Sequence, residues 1–264
     1  SSDLNLLYSE GTQAPSLIYS LPNLKILNST FQGNIMKQAG LISLQLLSSS
    51  DSKFNVNHSK FINNTVISFG KKSSYLISLK SSVSKNIQIA LDYLEISNNI
   101  LNQIDGGSSI KCFLFNLGNT EGSLNNSIFQ NNIHQGSSIQ LIISFRSKID
   151  IKNLTVSGNY LFSQSLFMAS KLNAFTNMEQ IIIQDNHLFK DSSLLHISNQ
   201  GTLQATNISI SNNILNDNSL ISDVETSATL VLQLLILANN TKDWTVNKIR
   251  NFQLMNVKIG RAHV

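Results

Sequence analysis

The chain has 264 residues, a formal net charge of +4, only 13% charged residues and a single cysteine. The weak and scattered positive charge argues against a nucleic-acid-binding protein, and one cysteine excludes an internal disulfide. No apolar run reaches the ~18 residues that a membrane-spanning helix needs. Because composition excludes these classes without selecting another, the repeats along the chain carry most of the information.

Residues 1–23 predict only a partial first coil, since Ser16-Leu17-Ile18 alone matches a later strand phrase. From Leu24 onward an asparagine recurs, first at spacings of 30, 35 and 33 residues and then four times at 27. A large apolar residue lies three positions before each asparagine. A fixed period of this size indicates a repeat architecture. The recurring asparagines are Asn34, Asn64, Asn99, Asn132, Asn159, Asn186, Asn213 and Asn240.

Each repeat predicts about three short strands separated by polar corners. Apolar residues ten and eight positions before the asparagine, as at Ile149 and Ile151, predict a strand with one buried face. A polar bend such as Asn153 comes next, and then the phrase that ends in the asparagine. A Ser/Gly-rich corner and another strand follow, as in residues 136–141. We therefore expect a parallel β-helix whose coils stack about 4.8 Å apart.

The repeated asparagines are predicted to form a structural ladder inside this solenoid. An inward amide can accept a hydrogen bond from one coil and donate one to the next, and the ladder fixes the register because an unpaired buried amide is costly. Asparagine also tolerates the left-handed backbone conformation that a sharp corner requires. Inward residues are expected to stack on their counterparts one coil away, so Phe31 should lie near Phe61.

Several phrases resemble a known family of repeats. They are Phe31-Gln32-Gly33-Asn34, Phe61-Ile62-Asn63-Asn64 and Phe129-Gln130-Asn131-Asn132, together with Gly106-Gly107-Ser108-Ser109-Ile110. The pattern is similar to the FxxN and GGAI repeats of the polymorphic outer-membrane protein family of bacterial adhesins, and to repeats in protist surface proteins. The resemblance covers about residues 24–258. It implies a right-handed parallel β-helix of the pectin-lyase-like class, at the cell surface and used for adhesion.

A leucine-rich-repeat solenoid is the alternative architecture. The phrase that begins at Ile151 and runs through Leu154, Val156 and Asn159 also matches the pattern LxxLxLxxNxL. Serine fills one of the apolar positions of that pattern in three coils. The remainder of each repeat predicts strand, where leucine-rich repeats often place a helix. The sequence therefore favours the β-helix.

Enzymes with the pectin-lyase-like fold need clustered carboxylates for Ca²⁺ binding or for general acid and base catalysis. Asp150 and Asp185 are the best pair in adjacent coils, but they occupy different positions of the repeat. His187 and His196 are interpreted as surface or corner residues rather than metal ligands. We expect a non-enzymatic extracellular or cell-surface scaffold for adhesion or recognition, with no cofactor. The alternative is a fragment of a secreted polysaccharide lyase or glycoside hydrolase.

Insertions at the corners of a uniform rod predict where a partner binds, because binding residues are commonly carried by loops. The second and third long repeats carry such insertions. The basic residues there could form an edge that faces an acidic glycan, and glycans or surface proteins are the expected partners, with no nucleic acid and no membrane span. The candidate binding residues are Lys71, Lys72, Lys80 and Lys85.

The sequence also contains N-glycosylation sequons, which suit an extracellular position. They begin at Asn28, Asn57, Asn63, Asn125, Asn153, Asn207 and Asn239. We expect residues 1–258 to form one β-helix fragment of about eight coils of 27–35 residues. Residues 259–264 resemble a translated sequencing adapter, and the natural protein is expected to extend beyond both ends.

Overall fold

The structure is a computed structural model that describes most of the chain. The described residues are 23–37, 40–46, 52–68, 74–81, 87–104, 112–135, 139–162, 167–171, 173–189, 195–197, 200–215, 221–222, 229–241 and 251–259. These residues form strands joined by tight corners and contain no helix. Accordingly, nothing in the described ranges is a helix long and apolar enough to cross a membrane.

The strands follow one another in successive coils. The first coil contains β1 (Asn23–Leu27), β2 (Thr30–Gln32), β3 (Ile35–Lys37) and β4 (Gly40–Leu46). The second contains β5 (Ser52–Asn57), β6 (Lys60–Ile62), β7 (Thr65–Ser68) and β8 (Ser74–Ser81). The third contains β9 (Ile87–Asp92), β10 (Glu95–Ser97), β11 (Ile100–Gln103) and β12 (Cys112–Gly118).

In the later coils the first two strands merge into one long strand. These coils contain β13 (Thr120–Gln130), β14 (Ile133–Gln135) and β15 (Ile139–Phe145), then β16 (Lys148–Ser157), β17 (Tyr160–Leu161) and β18 (Phe167–Lys171). Next come β19 (Phe175–Gln184), β20 (His187–Leu188) and β21 (Leu195–Ile197), then β22 (Thr202–Ser211), β23 (Ile214–Leu215) and β24 (Ile221–Ser222). The described strands end with β25 (Thr229–Ala238) and β26 (Asn251–Ile259).

The strands stack into three parallel sheets, one for each side of the coil. The first sheet runs β1-β5-β9-β13-β16-β19-β22-β25-β26, with β2, β6 and β10 beyond a bend in the same sheet. The second sheet runs β3-β7-β11-β14-β17-β20-β23, and the third runs β4-β8-β12-β15-β18-β21-β24. The prediction of a parallel β-helix is confirmed. The third sheet occupies the part of the repeat where a leucine-rich repeat would often place a helix.

Left-handed backbone conformations turn the chain at three corners of the coil. The residues there have φ values between 48° and 68°, a range that asparagine and glycine adopt most readily. The first corner is formed by Asn28, His58, Tyr93, Asn126, Asn153, Gln180, Asn207, Leu234 and Asn256. The second is formed by Gly33, Asn63, Asn98, Asn131, Gly158, Asp185, Asn212 and Asn239. The third includes Asn119, Arg146, Asn173 and Gln200.

The second corner corrects the sequence-based expectation that the ladder asparagine itself is left-handed. The left-handed residue comes one position earlier, as Asp185 does before Asn186. The residue directly before each ladder asparagine makes the turn, so the asparagine itself can direct its side chain into the core.

The asparagine ladder is confirmed. From Asn64 onward, the side-chain Oδ1 of each ladder asparagine accepts from both the backbone N–H and the Nδ2 of its counterpart one coil earlier, at 2.8–3.0 Å. Each Nδ2 after Asn34 also donates to a backbone carbonyl of the previous coil, as Asn64 does to Phe31. Both ends of each amide from Asn64 onward are therefore satisfied inside the core.

The remaining inward positions are mostly aliphatic or aromatic and stack along the rod. The rings of Phe31 and Phe61 lie 4.8 Å apart and nearly parallel, as the sequence predicts. Two serines that interrupt the apolar pattern are also buried. The Ser127 hydroxyl accepts from the backbone N–H of Leu94 and donates to the carbonyl of Asn125, and Ser59 makes the equivalent bonds. A small hydroxyl can therefore replace an apolar side chain in this core without leaving a polar group unpaired.

Candidate functional site: an apolar row on the second sheet

The residue that follows each ladder asparagine points outward from the second sheet. Because the coils stack in register, these residues lie side by side, with Ile100 between Thr65 and Ile133 and with Tyr160 between Ile133 and His187. Together they form what we call the outer row. The outer row consists of Ile35, Thr65, Ile100, Ile133, Tyr160, His187 and Ile214.

The ladder fixes the position of the outer row. The carbonyl of Asn132 accepts from the N–H of Tyr160 at 2.9 Å, and the carbonyl of Asn159 accepts from the N–H of His187 at 2.8 Å. The same bond joins each outer-row residue from Thr65 onward to the ladder asparagine of the preceding coil. Since the asparagine side chain is itself held in the core, the outer row is mounted on a backbone with little freedom to move.

Much of the apolar surface of the outer row is open to solvent. Ile35 is 55% exposed, Ile100 is 38% exposed and Tyr160 is 40% exposed. The rings of Tyr160 and His187 stack with centroids 4.6 Å apart and planes inclined by 15°. The row thus presents isoleucine and aromatic side chains over successive coils of one flat sheet. Sequence reasoning missed it, although the signal, a large residue directly after six of the eight ladder asparagines, was present.

A second pair of rings lies beside the row. Phe162 and Phe189 stack with centroids 4.8 Å apart and planes inclined by 8°. The N–H of Phe162 donates to the carbonyl of His134, and the N–H of Phe189 donates to the carbonyl of Leu161, which continues the sheet pairing past the strand ends. Each ring covers one face of its partner, and Phe162 remains 40% exposed. Four rings are therefore grouped on this part of the second sheet.

The outer face of the first sheet is chemically different. Lys60 pairs with Glu95 at 2.8 Å, and Lys152 pairs with Glu179 at the same distance. The hydrogen bond from Lys60 holds the pKa of Glu95 below its ordinary value, against the opposing effect of partial burial. Such paired and partly exposed charges contribute little to stability. They make part of the exterior of the first sheet polar, although Ile128, Ile182 and Ile236 are exposed on the same sheet.

A chain of amides adds to this polar exterior. The Nδ2 of Asn153 donates to Oδ1 of Asn126 at 2.9 Å, and the Nδ2 of Asn126 donates to the carboxylate of Asp92 at 2.8 Å. Asn177 donates in the same way to Asp150 at 3.1 Å. The amide and carboxylate groups of neighbouring coils thus satisfy one another on the first sheet.

Behind the outer row, one polar residue lies in an otherwise aliphatic column of the core. His134 is fully buried between Leu101 and Leu161, and neither of its ring nitrogens has a hydrogen-bond partner. Burial lowers the pKa of His134 to about 3, because the charged form cannot be solvated there. The imidazole is therefore neutral at physiological pH. It faces the interior and does not contribute to the exposed surface.

The structure does not bring the best carboxylate pair together. Asp150 lies on β16, in the middle of the first sheet, whereas Asp185 lies at the second corner, after the end of β19. Within the described ranges, no three or more His, Cys, Asp or Glu side chains are grouped so that they could hold a metal ion. His187 is confirmed as a surface residue. His196 lies in β21, where its side chain is outside the described part of the structure.

The predicted basic edge cannot be assembled from the described residues. Lys71, Lys72 and Lys85 lie outside them. Lys80 belongs to β8 and is paired with Gln45 and Gly118 in the third sheet, and its side chain is not among those described. Binding of an acidic glycan at this edge stays a prediction.

No protein-family model and no curated protein matches the chain. Among solved structures, it is similar to tailspike protein 2 of Escherichia coli O157:H7 bacteriophage CAB120, with 15% identity and a TM-score of 0.30. That similarity covers 91% of this chain and 37% of the tailspike, so the chain spans little more than a third of that protein. It is also similar to QnrB1, a plasmid-mediated fluoroquinolone resistance protein, with 11% identity, a TM-score of 0.20 and coverage of 89% and 88%. The fold assignment rests on the strand pairing rather than on these likenesses.

Proposed function

We propose that this chain is a non-enzymatic scaffold of an extracellular or cell-surface protein, and that it serves adhesion or recognition through the outer row. The observation that carries this proposal is the row of mainly isoleucine and aromatic side chains on the outer face of the second sheet. Ile35, Ile100 and Tyr160 are exposed there, whereas the first sheet carries paired charges and amides beside its own exposed isoleucines.

The physical properties of the row suit a binding surface. Contiguous exposed apolar patches are uncommon on soluble proteins unless they bind something, and aromatic residues are enriched among the contacts that dominate binding energy. Tyr160 combines an apolar ring with a hydroxyl that can find a polar partner. Because the backbone beneath the row is held by the ladder, a partner would bind with little loss of conformational entropy in the rod.

The extracellular and adhesive parts of the proposal rest on the sequence. The chain has few charges, many Ser and Asn corners, and sequons that would be used outside the cytosol. The resemblance to FxxN repeats implies adhesion at a cell surface. A binding surface that extends along a rod would contact an extended partner, such as a glycan chain or the surface of another protein.

The binding test compares two matched triple variants. The first replaces Ile100, Ile133 and Tyr160 in the outer row by Gln. The control replaces Ile128, Ile182 and Ile236 by Gln; these are exposed on the first sheet to 42%, 43% and 43%. Glutamine creates no new sequon at any of these positions. Beads coated with each protein are tested on arrays of immobilised glycans and extracellular-matrix proteins.

We expect the wild type and the control to bind the same array members. The outer-row variant should bind at least about tenfold more weakly, which corresponds to a loss of about 1.4 kcal/mol or more. Equal loss in both variants would show that general surface hydrophobicity, rather than the row, is responsible. No binding by the wild type to any array member would contradict the recognition role.

A catalytic assay addresses the alternative of a polysaccharide lyase. The folded chain is incubated with polygalacturonate and Ca²⁺, and the absorbance of unsaturated product is followed. Steady product formation that depends on the protein would replace the scaffold proposal. Binding of the polymer without product would agree with it.

A further inference from the structure

The structure divides the sequons of the chain into two classes. We infer that Asn28, Asn63, Asn153, Asn207 and Asn239 carry N-linked glycans in the folded protein, whereas Asn57 and Asn125 do not. This inference goes beyond the proposed binding role, since it concerns covalent modification of a different part of the rod.

The five asparagines of the first class lie at corners of the coil. Asn28, Asn153 and Asn207 belong to the first corner, and Asn63 and Asn239 belong to the second. All five have a left-handed backbone conformation and an exposed side chain. A corner projects away from the flat sheets, so a glycan attached there extends into solvent without disturbing the strand pairing.

The hydroxyl residue of the sequon separates the two classes further. In the sequons of Asn57 and Asn125 this residue is Ser59 or Ser127, which are 0% and 1% exposed. Both hydroxyls are engaged in the core, where each accepts a backbone N–H from the previous coil and donates to the carbonyl of the sequon asparagine itself. The side-chain Oδ1 atoms of Asn57 and Asn125 are buried as well.

In the first class the hydroxyl residue lies on the outer surface. These residues are Thr30, Thr65, Thr155, Ser209 and Thr241, and each is half-buried or exposed. The Thr241 hydroxyl accepts from the N–H of Leu215 at 2.8 Å, which still leaves its own proton available. Asparagine and hydroxyl residue are therefore both accessible in these five sequons.

The modification is a group transfer from a lipid diphosphate-linked oligosaccharide, which we name as the required co-reactant. The Nδ2 of asparagine forms a bond to the anomeric carbon of the first sugar, and the bond from that carbon to the diphosphate oxygen breaks. The diphosphate leaves with the electron pair, and a base on the transferase takes one amide proton. The remaining N–H allows Asn153 to keep its hydrogen bond to Asn126.

The residue type at each outer-row position decides whether the second corner before it carries a sequon. The third residue of a second-corner sequon is the outer-row residue, so Thr65 creates a sequon at Asn63, whereas Ile100 and Ile133 create none at Asn98 and Asn131. The glycans of Asn63 and Asn239 would therefore flank the row near its ends. The isoleucine and aromatic positions between them stay unglycosylated.

The test uses the full chain, secreted from a eukaryotic host behind a heterologous signal peptide and isolated as folded monomer. Peptide N-glycosidase treatment in ¹⁸O-water marks each formerly glycosylated asparagine, and mass spectrometry gives the occupancy of every sequon. We expect substantial occupancy at the five corner sites and less than about a tenth of it at Asn57 and Asn125. Comparable occupancy at the two buried-hydroxyl sequons, or unmodified asparagine at most of the corner sites, would overturn the inference.

A reciprocal pair of variants tests the positional rule directly. Ile133→Thr creates a sequon at Asn131, and Thr65→Ile removes the one at Asn63 while giving the row the residue it has at Ile100. Each replacement occurs naturally in the same column, so both proteins should fold. We expect the first variant to gain one glycan at Asn131 and the second to lose one at Asn63. Absence of a glycan at Asn131 in the folded variant would overturn the corner rule, whatever the outcome of the binding test.

Discussion

Asn186 donates twice to one atom of Asn213 in the next coil. Its backbone N–H lies 3.0 Å and its Nδ2 lies 2.9 Å from the Asn213 Oδ1. The Oδ1 of Asn186 in turn accepts the same two bonds from Asn159. One side chain therefore bonds to polar groups of the coils on both sides, and removing it leaves the buried backbone N–H of Asn159 without this acceptor.

We expect Asn186→Leu to lower the free energy of unfolding by at least about 2 kcal/mol, because the Asn159 donors lose their acceptor in the core and the Asn213 oxygen keeps only the backbone N–H of residue 186 as a donor. The measurement is urea denaturation followed by circular dichroism. Asn177→Leu is the matched control. It makes the same chemical change on the outer face, where only the bond to Asp150 is lost, and should cost less than about 1 kcal/mol. Equal effects of the two replacements would show that the ladder hydrogen bonds stabilise the protein no more than a surface hydrogen bond does.

Leu234 occupies the first corner with φ of 56°, a conformation that costs a branched aliphatic residue about 1–2 kcal/mol. Asn126, Asn153 and Asn207 occupy the same corner in other coils and tolerate that conformation better. Leu234→Asn should therefore raise the free energy of unfolding by about 1 kcal/mol.

The control for this change is Leu27→Asn. Leu27 is 51% exposed, compared with 44% for Leu234, but it lies in the extended strand β1. Asparagine is a poorer strand former than leucine, so this variant should gain no stability. Thermal melting of the two variants distinguishes relief of the left-handed corner from an effect of reduced surface hydrophobicity. A similar gain in both would show that reduced surface hydrophobicity, and not relief of the corner, is responsible.

Gly122 lies at a position where neighbouring coils carry an inward apolar residue, and its φ is 149°. It pairs with Ile89 one coil earlier, and a Cβ added to Gly122 would collide with the Ile89 carbonyl oxygen. We expect Gly122→Ala to destabilise the protein by about 3 kcal/mol or more, since the backbone of two coils would have to separate.

Gly33→Ala provides the comparison for Gly122→Ala. Gly33 has φ of 68°, and an added Cβ would meet nothing within 4 Å. The free energy of unfolding of this variant should fall by only about 1 kcal/mol, because alanine adopts the left-handed conformation less readily than glycine. Denaturation of both variants in the same urea series gives the difference. A loss at Gly122 no larger than the loss at Gly33 would contradict the proposed collision between coils.

The inward side of the coil was predictable from sequence because the core imposes the same requirement on every repeat. An asparagine at a fixed offset sets the register, and the register places Phe31 on Phe61. The outward side carries no such requirement. Isoleucine fills four of the seven outer-row positions, but Thr65, Tyr160 and His187 interrupt it, so the row lacks the invariant residue that marks the ladder.

The third corner was missed for a similar reason. It contains Asn119, Arg146, Asn173 and Gln200, all left-handed, and this variety hides the column from a search for repeated residues. Ser59 and Ser127 interrupt the apolar pattern of the sequence, yet both are buried. Their hydrogen bonds follow from how closely the backbone of the neighbouring coil approaches, which the sequence does not state. The basic edge that the sequence predicted lies largely outside the described residues.

His134 makes the stability of the rod depend on pH. Its pKa is about 3 in the folded protein, compared with 6.5 for an ordinary histidine. Between these two values the unfolded chain binds a proton that the folded chain does not, so the folded state loses stability as the pH falls from 6.5 toward 3. Lowering the pH from 7.5 to 5 should cost about 2 kcal/mol from this residue alone.

His134→Leu removes this dependence and continues the column formed by Leu101 and Leu161. The variant should also be more stable at pH 7.5, by about 1–3 kcal/mol, because no unpaired imidazole nitrogen remains in the core. Urea denaturation of both proteins at pH 7.5 and pH 5 provides the measurement. Taking the difference between the two proteins cancels the carboxylates, which titrate alike in both. A difference that stays constant between the two pH values would show that His134 gains a proton in the folded state, and therefore that the rod opens at this coil.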